Sequence, residues 1–321
     1  MIKRILAALA ACALVAPAAW AAAPLDGPLT IVVGYPPGGS SDRIARLVAE
    51  RLKDRVGVPV IVENKTGAGG RISAQTVRHA SADQNVLLLG NPAVMVVAPL
   101  VYADPGYDAQ GDFKPVSLVT GYRFALAVSA DSPVRDIKAL LASLKANPER
   151  FTVGVPATGS LPHFFALMLG HEIGQPPEVV GYRGSGPLLS ELIGGILPQA
   201  IDTLDTLLPQ HRGGKVRILA TSGAEREPGL PDVPTFRQAG IDLAADGWNA
   251  FFAPAAMPQD KVERLSRDIA EILRDPAMRQ AVRAVDLEPV SADAARTGQA
   301  LDAFRRQWEP VVRESGFKAT Q

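Results

Sequence analysis

The segment LTIVVG at 29–34, the loop YPPGGSSD at 35–42 and the amphipathic stretch at 41–55 decide the fold. The first segment is a continuous apolar run, which is typical of a buried strand. In the third, apolar residues recur every three or four positions from Ile44 to Leu52, which predicts a helix with one buried face. A strand that passes through a glycine-rich loop into a helix indicates an α/β fold with parallel strands.

The same alternation of strand and helix continues along the chain. Further strands are predicted at 58–62, 86–89, 151–155, 179–182, 199–202 and 216–221. Further helices are predicted at 70–80, 137–146, 161–172, 187–193, 206–212, 259–274, 276–285 and 292–315. Two extended apolar stretches, 116–128 and 247–254, are long enough to cross between two units. We therefore predict two α/β lobes with mostly parallel central sheets, joined by two extended crossover segments, with a cleft between the lobes. Lobe 1 comprises 24–120 and 248–321, and lobe 2 comprises 121–247.

The amino-terminal segment, 1–23, predicts a cleaved secretory signal peptide. Lys3 and Arg4 precede an apolar run at 5–15, and the small residues at 19–23 fit a cleavage site. An eleven-residue run is too short to span about 30 Å of hydrocarbon, so a membrane anchor is not favoured. The segment predicts export to the periplasm.

Composition and charge exclude several functional classes. The chain has 33 basic and 33 acidic residues and no block of basic residues, so nothing favours a nucleic-acid partner. Cys12 is the only cysteine, which excludes disulfides and a cysteine-based zinc site, and the four histidines are scattered. We predict no metal and no cofactor. The box LAAC at 9–12 resembles a lipoprotein cleavage site, but the apolar run continues past Cys12, so we treat that match as coincidental.

The loop at 35–42 predicts an anion site. Gly38 and Gly39 allow a ligand to approach the backbone closely. They precede three residues that favour helix starts: Ser40, Ser41 and Asp42. Free N–H groups and the positive end of the helix dipole attract anions at such a place. The alternative is a tight turn that only caps the helix.

A second loop repeats this design at 155–163, with Thr158, Gly159 and Ser160 at another predicted helix start. Two helix starts that face one cleft could hold the two ends of a dicarboxylate. His163 falls in the first turn of this helix, where the ring either contacts ligand or packs on the neighbouring strand.

Three other residues lie at positions that favour the cleft. Asp202 ends a predicted strand, where its carboxylate either accepts from a ligand hydroxyl or ammonium group or caps the next helix. Tyr182 and Trp248 either wall the cleft or pack in the core. Ser160, His163 and Asp202 are also the residue types of a serine hydrolase, but the chain lacks the G-x-S-x-G elbow around Ser160.

Several motifs, in this order along the chain, carry a family resemblance. They are PPGGSSD at 36–42, VIVENKTGAGG at 60–70, YD at 107–108, DFKPVSLV at 112–119, YRGS at 182–185, GKVRILA at 214–220, LPDVPT at 230–235 and FAP at 252–254. With these motifs the chain resembles the Bug (TctC-like) family, the periplasmic solute-binding receptors of tripartite tricarboxylate transporters.

The resemblance implies a fold of the periplasmic-binding-protein type II kind and a monomer that is not an enzyme. It implies capture of a small organic acid or related solute and delivery to the membrane permease subunits. It also implies ligand contacts from Asn91, which falls where the family usually has a small hydroxyl residue, and from Asp202. The complete predicted ligand-binding set is Tyr35, Pro37, Gly38, Gly39, Ser40, Ser41, Asp42, Asn91, Thr158, Gly159, Ser160, His163, Tyr182, Asp202 and Trp248. A ligand-sensing subunit of a signalling system and an exported serine hydrolase are the alternatives, and the identity of the ligand stays open.

Overall fold

The computed structural model describes residues 25–147, 151–285 and 287–319, so the predicted signal peptide at 1–23 lies outside the described residues. Within these three ranges, strands and helices alternate along nearly the whole chain. None of the helices in these ranges is both long enough and apolar enough to cross a membrane.

The elements follow one another in the order that the sequence predicts for an α/β protein. The strands are β1 (Leu29–Val33), β2 (Val60–Asn64), β3 (Val86–Gly90), β4 (Phe113–Ser129), β5 (Thr152–Val155), β6 (Glu178–Gly181), β7 (Ala200–Thr203), β8 (Val216–Thr221), β9 (Asp246–Pro254) and β10 (Glu288–Ala292). The α-helices are α1 (Ser40–Val56), α2 (Arg71–Arg78), α3 (Ala98–Val101), α4 (Ile137–Ala146), α5 (Leu161–Glu172), α6 (Ser185–Ile193), α7 (Leu204–Arg212), α8 (Gln259–Arg274), α9 (Pro276–Arg283) and α10 (Ala294–Glu314).

The strands form one sheet in the order β2-β1-β3-β9-β4-β7-β5-β6, and β8 and β10 also pair with β4. The outer strands pair in parallel on both sides, β1 with β2 and β3, and β5 with β6 and β7. The two long strands, β4 and β9, run antiparallel to each other at the centre. This arrangement confirms an α/β fold of two lobes joined by two extended segments.

Strand β4 belongs to both lobes because its partners change along its length. It pairs with β9 from Phe113 to Arg123, and with β7 and β8 from Phe124 onwards. The predicted lobe boundaries at 120/121 and 247/248 fall close to this change of partners, and they stay a prediction.

Aromatic packing joins the carboxyl-terminal helix to the centre of the sheet. Trp308 of α10 stacks on Phe304 with ring centroids 5.2 Å apart and contacts the edge of Phe124 at 5.9 Å. Phe124 also stacks on Phe165 of α5 at 5.2 Å. Burial of each such ring contributes about 1.5–3 kcal/mol to stability, so α10 holds elements from both sides of the crossing strands.

The structure has elements that the sequence did not predict, among them β10, a π-helical turn and α3. The predicted helix at 292–315 is preceded by β10, which pairs antiparallel with β4, and α10 begins only at Ala294. A π-helical turn, Ala93–Val97, leads into α3 after Asn91. The strand β10 has the sequence EPVSA, in which glutamate and proline disfavour a strand prediction, and 93–97 is an apolar run too short to show a helical period.

Gly247 of β9 lies directly beneath the ring of Tyr122, its partner in β4. A Cβ atom at Gly247 would lie 2.0 Å from Tyr122 Cε2, which is far inside contact distance. At the neighbouring position, a Cβ at Gly121 would lie 3.6 Å from Val290 Cγ2, an ordinary contact.

We expect Gly247→Ala to lower the free energy of unfolding by about 1–3 kcal/mol, because Tyr122 must leave its rotamer or the strands must separate. Gly121→Ala is the matched control in the same strand pair, and it should leave stability unchanged or raise it by up to about 1 kcal/mol. Urea unfolding of both variants measures the difference. Equal stability of the two variants would contradict the close approach at Gly247.

Candidate ligand-binding cleft

A cavity of about 600 Å³ lies where the loop after β1 faces the carboxyl end of β7 and the crossing strands. Seven residues of the predicted set line it: Tyr35, Pro37, Gly39, Ser40, Ser41, Asn91 and Asp202. Eight further residues also line it: Pro36, Tyr122, Ser185, Thr203, Asp205, Thr206, Asn249 and Leu287. The cavity therefore has walls from both sides of the crossing strands.

The start of α1 opens into this cavity without a side-chain cap. Its N-cap residue is Gly39, which has no side chain that could accept from the first-turn N–H groups. Asp42 instead turns back and accepts from the Gly38 amide at 2.8 Å. Asp42 thus shapes the loop from behind, and the helix N-terminus stays available to an anion.

Asp42 is held as a carboxylate in this position. Its side chain is 3 % exposed and pairs with Arg46 at 2.8 Å, while Asn64 donates to it at 2.9 Å. Burial by itself would raise the pKa of Asp42, but the hydrogen bonds from Arg46, Gly38 and Asn64 hold that pKa at about 2. Asp42 does not line the cavity, so the structure gives it a role in the loop.

Tyr35 and Asn91 form one corner of the cavity. The Asn91 amide donates to the Tyr35 hydroxyl at 2.8 Å, and its Oδ1 accepts from the Val94 amide at 3.2 Å. Burial raises the pKa of Tyr35, so its hydroxyl stays neutral, and it donates to the Gly69 carbonyl oxygen at 3.4 Å.

Two hydroxyl groups of the first loop reach across the cavity. Ser41 donates to Asn249 Oδ1 at 3.2 Å, and Asn249 in turn donates to Thr120 at 2.9 Å. Ser40 donates to Asp205 Oδ2 at 2.5 Å, in the first turn of α7. These bonds join the loop to the crossing strand β9 and to α7, so the two walls of the cavity are in contact.

Asp202, which the sequence predicts as a ligand-binding residue, is a buried acid in the cavity wall. It is 2 % exposed, and its Oδ1 accepts from the Thr203 amide at 2.7 Å. Its Oδ2 is buried and makes no hydrogen bond of regular geometry within the described chain. Burial raises the pKa of Asp202 to about 6, although the nearby Ser185 hydroxyl and the Thr203 amide favour the charged form.

The second predicted loop does not line the cavity. The Gly159 amide donates to His163 Nδ1 at 2.9 Å, and Ser160 Oγ accepts from the His163 amide. The ring of Phe317 covers this loop, because a Cβ at Gly159 would lie 2.6 Å from Phe317 Cε1. The start of α5 is therefore occupied by its own chain. The arrangement of two helix starts around one dicarboxylate stays a prediction, because only the start of α1 lines this cavity.

His163 adopts the packing role that the sequence left open. It is 8 % exposed, stacks on Phe164 at 5.1 Å and contacts the edge of Phe317 at 5.5 Å. Burial lowers its pKa, so the ring is neutral at physiological pH.

The remaining predicted residues also lie outside the cavity lining. Tyr182 donates to Glu191 at 2.6 Å, and Trp248 packs on Phe252 and Phe304. Thr158 lies against Gly181, and Gly38 sits at the turn with a φ of +85°. For these residues, a contact with ligand stays a prediction.

The residues of the hydrolase alternative do not come together. Ser160 and His163 make the bonds of a helix start, while Asp202 lies in the cavity wall. A nucleophile and its base need a direct side-chain hydrogen bond, and the contacts of Ser160 and His163 do not provide one.

Three further polar residues of the lining were not predicted as ligand-binding residues from the sequence: Ser185, Asp205 and Asn249. Asp205 looks like an ordinary first-turn acid of a helix, and Asn249 lies within an apolar strand. A polar residue in the middle of the predicted crossing strand was the available signal for Asn249, because a buried amide needs partners.

Known proteins resemble this chain over most of its length. A family model described as "Tripartite tricarboxylate transporter family receptor" matches residues 44–317. A UPF0065 protein of Bordetella bronchiseptica is 36% identical over 308 residues, which cover 95% of this chain and 91% of that protein. Protein BugT of Bordetella pertussis is 33% identical over 294 residues, which cover 91% of this chain and 90% of that protein.

A solved structure agrees with the fold. The R. palustris protein Rpa4515 with adipate superimposes with a TM-score of 0.81 at 29% identity, and the match covers 91% of this chain and 98% of that chain. The shared architecture thus extends over nearly the whole described chain.

We expect Asp202→Asn to stabilise the unliganded protein above pH 6. The pKa of Asp202 is about 6 in the folded state against 3.8 for the free side chain, so the unfolded chain loses this proton first as pH rises. Stability of the native chain therefore falls between about pH 4 and pH 6, by up to about 3 kcal/mol. Asparagine keeps the bond from the Thr203 amide and removes the buried charge.

The measurement is urea unfolding of both proteins from pH 4 to pH 8. The two curves should coincide near pH 4 and separate as pH rises. A constant difference across this range would show that Asp202 does not titrate with a raised pKa.

Proposed function

Because the chain belongs to the tripartite tricarboxylate transporter receptor family, as its motifs predicted, we propose that it captures a small carboxylate in the cleft and delivers it to a membrane permease. The family consists of periplasmic solute receptors, which are not enzymes. The observation that carries the proposal is the uncapped start of α1, which opens into a cavity of about 600 Å³.

This helix start suits a carboxylate for physical reasons. Its first N–H groups have no side-chain acceptor, and the Ser40 and Ser41 hydroxyls lie beside them. Preorganised amides and hydroxyls bind an anion without a full positive charge, because the helix dipole adds about half a charge at this end. The adipate bound to the R. palustris relative is an acid of suitable size for such a cavity.

Capture requires that the ligand stabilise the closed arrangement of the lobes. A ligand shifts this equilibrium only through contacts that it makes better in the closed state. The lining supplies both walls, with Ser41 on the first loop, Asn249 on the crossing strand and Thr206 on α7. We take the lobes to be 24–120 with 248–321, and 121–247, and the permease to recognise the closed form.

We further propose that the protein reaches the periplasm by cleavage of the signal peptide at 1–23. Amino-terminal sequencing of the protein from a periplasmic extract should give a start directly after Ala21 or Ala23. A start at Cys12 with an attached lipid would support the lipoprotein alternative and contradict this proposal.

Loss of one hydroxyl at the helix start tests the carboxylate site. We expect Ser41→Ala to weaken binding of the best ligand by about tenfold or more, the effect of one hydrogen bond to a charged group. The ligand is first identified by a thermal-shift screen of mono-, di- and tricarboxylates on protein that has been unfolded and refolded. Isothermal titration then compares the variants.

Ser81→Ala is the matched control, because Ser81 is an exposed turn residue outside the cavity. Its affinity for the ligand should equal that of the native chain. Equal affinity of Ser41→Ala and the native chain would place the carboxylate elsewhere and contradict the proposed site.

A further inference from the structure

The side chains that line the cleft carry negative charge, which a ligand with only carboxylate groups does not complement. Asp202 and Asp205 both line the cavity, whereas its lining includes no Lys, Arg or His from the described residues. Asp205 lies in the first turn of α7, three positions after Asp202. Two carboxylates therefore face a space in which the ligand itself must supply any compensating positive charge.

Asp202 has an unused acceptor that points to such a ligand. The residue is 2 % exposed, and its Oδ2 is buried without a hydrogen bond of regular geometry in the described chain. The Ser185 hydroxyl on the same wall is close enough to favour the charged form, but it leaves the pKa of Asp202 raised. A buried carboxylate oxygen whose neighbouring hydroxyl makes no hydrogen bond of regular geometry is incompletely satisfied, so a donor from a ligand would be favourable there.

The hydrogen bond that Asp205 accepts is available only while no ligand anion occupies the first loop. Asp205 accepts from the Ser40 hydroxyl at 2.5 Å, and Ser40 stands at the start of α1. A ligand carboxylate at this helix start competes with Asp205 for the same hydroxyl. Asp205 then needs a new donor, and a donor from the ligand would also complete the bonding of the Asp202 carboxylate beside it.

No other acid of the loop changes this balance. Asp42 is the third carboxylate near the helix start, but Arg46 and Asn64 neutralise and hold it outside the lining. One side of the cavity, the start of α1, therefore favours an anion. The opposite side, formed by Asp202 and Asp205 and here called the acidic wall, favours a cation.

Resting on the proposed function, we propose that the ligand is an amino carboxylate, whose carboxylate binds at the Ser40–Ser41 helix start and whose ammonium group binds Asp202 and Asp205. The ammonium group supplies up to three donors, enough for Asp202 Oδ2 and for the Asp205 carboxylate that the ligand releases from Ser40. A dicarboxylate of the same length places a second negative charge against these two acids.

Matched pairs of ligands test the proposal on refolded mature protein by isothermal titration. The pairs are 4-aminobutyrate with succinate, 5-aminopentanoate with glutarate, and alanine and glutamine each with the same acid without its α-amino group. We expect the best amino carboxylate to bind at least about tenfold more tightly than its partner, the effect of one charge-assisted hydrogen bond.

Variants of the acidic wall identify the subsite. Asp202→Asn and Asp205→Asn should each weaken the amino carboxylate by about tenfold or more, and should leave the nitrogen-free partner unchanged or bound more tightly. Asp54→Asn removes the same charge at an exposed position on α1 outside the cavity, and it should change neither affinity. Because asparagine matches aspartate in size, unfolding curves of all three variants serve to confirm that each is folded.

The possible outcomes separate this inference from the proposed function. Tighter binding of the dicarboxylates, strengthened at low pH or by Asp202→Asn, would overturn the amino carboxylate and leave the carboxylate receptor in place. If Asp202→Asn and Asp205→Asn bound the amino carboxylate as tightly as the native chain does, the inference would also be overturned. If no compound with a carboxylate bound at all, both the inference and the proposed function would fail.

Discussion

The antiparallel pairing of β4 with β9 is the constraint on which the rest of the molecule depends. Along this pairing, two strands from distant parts of the sequence run side by side from Phe113 to Arg123 of β4. Parallel strands on either side then attach to one or the other of them. The cavity lies at this centre because the loops that follow β1 and β7 both open towards it. Hence any distortion of the central pair, such as at Gly247, changes the fold and the cleft together.

The electrostatics of the cleft follow from main-chain geometry as much as from side chains. The positive pole is a helix start that has glycine at its cap and no basic residue in the lining. The negative pole is the end of β7 and the first turn of α7, where Asp202 and Asp205 lie three positions apart. Both groups lie where strands end, so the fold itself sets their positions on opposite walls of the cavity.

Much of this arrangement could be predicted from the sequence, because it depends on local patterns. The strand at 29–34, the loop at 35–42 and the helix at 41–55 are specified by apolar periodicity and by glycine and serine at the turn, and the structure has them within two residues. The family was predictable from ordered motifs, and the first wall of the cleft followed from one of them.

The second wall could not be predicted in the same way, because it depends on contacts between distant segments. The loop at 155–163 has the same local signals as the first loop, yet Phe317 packs on Gly159 and closes it. Nothing near Phe317 in the sequence indicates that partner. Asp205 and Asn249 were missed for a similar reason, since only the folded chain brings them opposite Ser40 and Ser41.

The carboxyl-terminal segment adds a third connection, beside the two crossing strands, between the start of α5 and the end of α3. After α10, Phe317 lies on Gly159 and His163, while the amide of Ala319 donates to Val101 at 3.0 Å. Two strands alone would permit both bending and twisting about their common axis. A third crossing away from that axis opposes twisting, because rotation would pull Phe317 away from Gly159. The contacts of the carboxyl-terminal segment therefore resist rotation of α5 relative to α3.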